Sequence, residues 1–160
     1  MTAVQSALRP ALVRILLALA VVLPVGTAAE LASAPSASAF TMTAAKGTKV
    51  VKVAATRKGS PYRYGAVGPR RFDCSGLVKW TYARVGKNLP RTSRAQYGAT
   101  RHISRSQRRP GDLVFFLRHG RVYHVAIYAG GGKIWHAPKP GDRVKKAGIW
   151  ASSVRYGRVR

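Results

Sequence analysis

Apolar residues change their period near the middle of the chain. Across Lys46 to Lys58, Val50, Val51, Val53 and Ala54 recur among basic residues in a helical pattern that stops at Gly59. Leu77, Val78, Trp80, Thr81, Tyr82 and Val85 then return at three- and four-residue spacing, so a second helix is predicted from Cys74, with Gly86 as its terminating residue. Thr92 or Ser93 can cap a short third helix carrying Ala95, Gln96 and Tyr97. A basic loop, Arg101 to Arg109, leads into the turn Pro110-Gly111-Asp112, and beyond it the pattern is that of strands. Leu113 to Leu117 is wholly apolar and reads as a buried strand, His124 to Ala129 as a second, and Lys133 to Ala137 as a third after the turn Gly130-Gly131-Gly132. Ser153 to Val159 reads as a closing strand whose arginines face solvent. Helices first and antiparallel strands afterwards predict an α+β fold.

The first 39 residues follow another logic. Arg9 and Arg14 precede an apolar run from Ile15 to Leu23, and small residues continue to Ala39, which is the order of a secretory signal peptide. Ile15 to Val25 falls short of the roughly 20 apolar residues of a spanning helix, so no transmembrane span is expected after processing. The expected organisation is a signal peptide over 1–39, a short linker over 40–45 and one domain over 46–160.

The chain holds 29 basic and 4 acidic residues, and losing Arg9, Arg14 and Glu30 with the leader leaves a net charge of +24. That charge attracts polyanions. An exported protein more plausibly meets anionic wall polymers than nucleic acid, and no specific nucleic-acid partner is expected. The remaining acids, Asp73, Asp112 and Asp142, are too few for paired-carboxylate chemistry.

Cys74 is the one cysteine, so no internal disulfide can form. It follows a glycine-rich approach and opens the second helix, where free backbone N–H groups and the macrodipole favour a thiolate. A nucleophilic thiol needs a base and a group that orients the base. With a three-residue loop at Gly130 to Gly132, Tyr128 pairs with Ile134, and His124 and His136 share a face as diagonal neighbours about 7 Å apart. A two- or four-residue loop would put them on opposite faces. On spacing alone the pair reads either as catalytic or as two half-buried strand histidines bonded to backbone. A zinc site on Cys74, His124 and His136 would need a further ligand or an open water position, and neither histidine has an acidic or sulfur neighbour; no metal or cofactor is expected. His102 and His119 lie in basic loops and are expected at the surface. Asp73 can cap the cysteine helix, and Asp112 the turn into the first strand.

Six segments in order carry a family resemblance: Pro61-Tyr62-Arg63-Tyr64-Gly65; Phe72-Asp73-Cys74-Ser75-Gly76-Leu77-Val78; Leu89-Pro90-Arg91-Thr92-Ser93 with Gln96; Pro110 to Phe116; His124 to Tyr128 with Gly130; and Ile134-Trp135-His136-Ala137. Their order and spacing resemble the NlpC-type cell-wall peptidases over about residues 46 to 160. The resemblance implies a papain-like fold, with the cysteine helix packed on an antiparallel sheet. It also implies an enzyme that hydrolyses peptidoglycan stem peptides, usually between D-glutamate and a diamino acid; with the leader and the charge, the expectation is a secreted, wall-associated monomer. By position it makes Cys74 the nucleophile, His124 the base and His136 the orienting third residue. Tyr62, Asp73 and Ser75 fall at oxyanion or substrate-binding positions, with the Cys74 backbone N–H as a second oxyanion donor. Tyr64 stands where the family often has tryptophan, and Ala66 replaces a common second glycine. A wall amidase of related fold and a non-catalytic cationic wall-binding protein are the alternatives.

Overall fold

The computed structural model describes residues 40–160, and the leader expected over 1–39 lies outside them. Helices α1 (Ala44–Ala55), α2 (Cys74–Ala83) and α3 (Ser93–Gly98) precede strands β1 (Thr100–Ile103), β2 (Leu113–Arg118), β3 (Arg121–Gly130), β4 (Lys133–His136), β5 (Lys145–Gly148) and β6 (Val154–Val159). The strands form one antiparallel sheet in the order β1-β6-β2-β3-β4-β5. This is the α+β arrangement expected.

Each helix starts at a side-chain cap that satisfies one of its free N–H groups. Thr43 accepts from Lys46 N–H at 3.2 Å, Asp73 from Gly76 N–H at 2.7 Å, and Thr92 from Ala95 N–H at 3.2 Å. The expected linker is therefore shorter than 40–45, because Thr43 already caps α1. Met42 is only 4 % exposed and Phe40 packs on the same core, two apolar residues in a stretch too short to show a period. The turn that follows α2 closes at Gly86, the terminating residue expected: its N–H reaches Ala83 O at 3.2 Å and Lys87 N–H reaches Tyr82 O at 3.0 Å. The residue between those two donors needs a positive φ, which Gly86 supplies at 85°.

The sheet divides the core in two. Leu113, Phe115, Val125, Ile127 and Trp135 face the helices, where Val50, Leu77, Val78 and Tyr82 meet them. Alternate residues Val114, Phe116, Ala126, Tyr128 and Ile134 point the other way, because successive strand side chains alternate faces. Since β5 is an edge strand and β6 lies between β1 and β2, the connection after β5 crosses back over the second face. Ile149, Ala151 and Val154 pack there, and the Trp150 ring stacks on Phe116 at 4.0 Å.

Three expectations need correction. Thr100–Ile103, partly inside the expected loop Arg101 to Arg109, is an edge strand paired with β6; Arg101 and His102 face solvent, so it carries no apolar alternation. Strand β5, with the sequence Lys-Lys-Ala-Gly, has almost no strand signal and was not expected. Arg158 of β6 turns inward rather than to solvent: its Nε and Nη2 donate to Asp112 at 2.8 Å each, and its side chain is only 14 % exposed.

Candidate active site

The candidate nucleophile stands on the first residue of α2, where Asp73 fixes the start of the helix. Asp73 Oδ1 accepts from Gly76 N–H and from the Ser75 hydroxyl at 3.3 Å, while Oδ2 accepts from Gly65 N–H at 2.9 Å. Arg91 closes this network, donating from Nη1 to Asp73 Oδ1 at 3.1 Å and to Ser75 Oγ at 2.9 Å, and from Nη2 to Asp73 Oδ2. Gln96 Nε2 donates to the carbonyls of Ser75 and Pro90, both at 2.9 Å, which ties α3 to the same turn. Gly76 is required by close approach, since a Cβ there would lie 2.0 Å from the Ala66 carbonyl oxygen.

His124 and His136 come together, but not through the expected three-residue loop: Gly130 pairs with Lys133, leaving the two-residue loop Gly131-Gly132. Tyr128 pairs with Ile134 and Ile127 with Trp135, a register restored by an irregularity between Tyr128 and Gly130. His124 Nε2 lies 3.1 Å from His136 Nδ1, and both side chains are buried. Trp150, half exposed, covers the pair with ring centroids 5.6 Å from His124 and 5.0 Å from His136.

Two clefts meet at Cys74. One of about 630 Å³ is lined by Tyr62, Cys74, Tyr123, His124, His136 and Trp150. The other, of about 460 Å³, runs along Tyr62, Tyr64, Asp73, Cys74, Ser75 and Arg91. Tyr62 and Tyr123 flank the thiol in both. Every sequence-derived site residue therefore lines one of these clefts, whereas His102 and His119 are exposed surface residues outside both. Asp73 and Ser75 line the second cleft with their polar side-chain atoms already bonded within the protein. Trp150 and Arg91 are additions: Trp150 sits in an irregular crossover, and Arg91, although inside one of the ordered segments, looks like one basic residue among many.

Electrostatics differ from the helix-start expectation. Burial pushes the Cys74 thiol up; the Val125 N–H facing the sulfur opposes this, Asp73 adds to it, and Ser75 opposes it. Burial and Asp73 outweigh the donors of Val125 and Ser75, so the thiol is held above its ordinary value and its protonated form is favoured. Burial, then the neighbouring His136, lowers His124 to about 3. Burial and then Lys145 lower His136 to about 4, against a smaller opposing effect of Asp142. Both imidazoles are thus neutral at pH 7. The Tyr62 phenol is pushed up by burial and then by Cys74 and Asp73, so it stays a proton donor. Among the described residues no three His, Cys, Asp or Glu side chains converge to hold a metal ion, and no helix is long and apolar enough to cross a membrane.

The arrangement can carry acyl transfer: a thiol, a neutral imidazole held by a second one, and a phenol donor on one cleft. Comparison with known proteins points the same way. The NlpC/P60 family model matches residues 59–156. A probable endopeptidase from Corynebacterium glutamicum is 44 % identical over 110 residues, 69 % of this chain and 48 % of that protein. The bifunctional muramidase/DL-endopeptidase CwlT of Bacillus subtilis is 41 % identical over 118 residues, 69 % of this chain and 36 % of that protein. Among solved structures, the NlpC/p60 domain of the peptidoglycan hydrolase SagA superposes with a TM-score of 0.65 at 36 % identity, covering 71 % of this chain and 98 % of that one. The chain spans from about a fifth to about half of the length of the curated relatives it matches.

Proposed function

This chain belongs to the NlpC/P60 family, and on that premise we propose that it is a secreted, wall-associated cysteine endopeptidase that cleaves peptidoglycan stem peptides between D-glutamate and a diamino acid. The observation that carries the reading is Cys74 opening a helix on the cleft it shares with His124, whose Nε2 meets His136 Nδ1 at 3.1 Å. The DL-endopeptidase activity named for CwlT supports the choice of bond.

With Nε2 of His124 donating to His136, Nδ1 is the nitrogen that takes the Cys74 proton. The resting pair is neutral, so proton transfer accompanies attack: as Sγ bonds to the peptide carbonyl carbon, the thiol proton moves to His124. The Cys74 backbone N–H and the Tyr62 hydroxyl are the donors for the oxyanion. Collapse of the tetrahedral intermediate breaks the C–N bond, His124 returns the proton to the leaving amine, and a thioester remains. Water, deprotonated by the same imidazole, then releases the acyl group and regenerates the thiol. His136 orients the base, while Asp73 and Arg91 position the helix start. The chain acts as a monomer, and its net positive charge holds it to anionic wall polymers.

The test is digestion of purified peptidoglycan by the wild type and by Cys74→Ala, with products identified by mass spectrometry. Cys74→Ala is expected to fold normally and lose at least about a thousandfold in rate. A free lactyl carboxyl in the wild-type product would instead identify an amidase. Undiminished lysis by Cys74→Ala would identify a non-enzymatic wall-binding protein.

A further inference from the structure

A third cleft, of about 480 Å³, opens beside the crossover and shares no lining residue with the two at Cys74. Its wall includes Ile103, Ile149 and Tyr156, and three cationic side chains surround it: Arg105, Arg108 and Arg155. They come from two chain segments, the loop after β1 and the start of β6. Arg108 is held in place, its guanidinium carbon 5.1 Å from the centre of the Tyr128 ring and 5.2 Å from that of Tyr156. Its Nη1 reaches the Tyr156 hydroxyl at 3.4 Å, and its Nε is buried without a protein acceptor. Arg105 and Arg155 are exposed.

None of the three has a carboxylate partner among the described residues. Each acid there is paired elsewhere: Asp73 with Arg91, Asp112 with Arg158 and Asp142 with Lys145. Like charges gathered around one cavity repel, and an anion between them relieves the repulsion. Guanidinium forks bind phosphate and carboxylate oxygens in pairs, and three of them spaced around a cleft suit a chain of repeated anionic groups. Single-stranded nucleic acid is bound largely by stacking bases on open aromatic faces. Here the rings of Tyr128 and Tyr156 are already covered by Arg108.

We infer that the cleft between Arg105, Arg108 and Arg155 is a binding site for the phosphodiester groups of a polyol phosphate polymer. That such a polymer belongs to the cell wall rests on the function proposed above; the anion site itself does not.

The experiment uses the full chain carrying Cys74→Ala, so that binding is measured without cleavage, and titrates it calorimetrically with poly(glycerol phosphate) at physiological salt. Arg105→Gln with Arg155→Gln removes two exposed charges, and Lys49→Gln with Lys52→Gln removes two from the exposed side of α1 as a matched control. The arginine pair is expected to weaken binding about tenfold or more, because it removes charge-assisted hydrogen bonds, and the lysine pair about twofold at most. Arg108→Gln, verified as folded by circular dichroism, is expected to follow the arginine pair. Equal losses in the two pairs would overturn the site and leave only bulk charge. Binding of an oligodeoxynucleotide of matched charge as tightly as the polymer, with the same arginine dependence, would overturn the choice of ligand. If wild-type protein leaves peptidoglycan intact while the arginine-dependent binding persists, the proposed enzymatic function fails and the anion site stands.

Discussion

His124 and His136 are kept neutral chiefly by burial, and Trp150 is part of what covers them. A base that has lost its affinity for protons stays competent far below the ordinary histidine range. The acid limb of kcat/KM is therefore expected below about pH 5 rather than near the ordinary value of about 6.5. Trp150→Ala admits water to the pair, so the acid limb should move toward higher pH; an unmoved limb would show that the ring does not shield the imidazoles. The three central residues were legible for different reasons. Cys74 stands alone of its kind, and His124 and His136 share the face that hairpin pairing of Tyr128 with Ile134 predicts, although a two-residue loop and a bulge produce that register in place of the three-residue loop assumed. The state of the thiol was not legible, because helix-start chemistry can be read locally whereas burial depends on segments far away in sequence. Trp150 was hidden for the same reason: no period in residues 149–153 announces which face of the sheet they cross.

Among the elements, α2 carries the most constraint. Its first turn is held by the Asp73 cap, the Arg91 fork and the Gln96 amide, and it is pressed against the 63–66 turn closely enough that only glycine fits at position 76. Gly76→Ala is expected to displace that turn or the helix start by a few tenths of an ångström or more. Misplacement at a reacting centre on the order of 1 Å can cost a hundredfold. Steady-state kinetics beside a urea melt would separate the effects: kcat should fall far more than stability, and a loss confined to stability would contradict the reading. The helices and the strands β2, β3, β4 and β6 were legible because their apolar residues are periodic or continuous. The edge strands β1 and β5 were not, since Thr-Arg-His-Ile and Lys-Lys-Ala-Gly are largely solvent-facing and owe their conformation to a paired neighbour.

At the scale of the whole molecule, a strong cationic excess surrounds few acids, and among the described residues the three of them are each tied to a basic side chain. The Arg158–Asp112 pair is the most buried, with Asp112 fully enclosed and also accepting from Arg109 N–H at 2.8 Å. Arg158→Leu strands the carboxylate and is expected to cost about 3–5 kcal/mol in urea unfolding, whereas adding Asp112→Leu should recover part of that loss. A double variant no more stable than Arg158→Leu would show that the stranded charge is not the cause. The crossover that brings Trp150 to the histidines also delivers β6 into the sheet interior between β1 and β2. Translation reaches that segment after the site residues, so a growing chain holds Cys74, His124 and His136 before it holds the strand that joins the two parts of the sheet. A polypeptide clipped before Ile149 would have all three side chains and neither the covering ring nor the strand that joins β1 to the rest of the sheet.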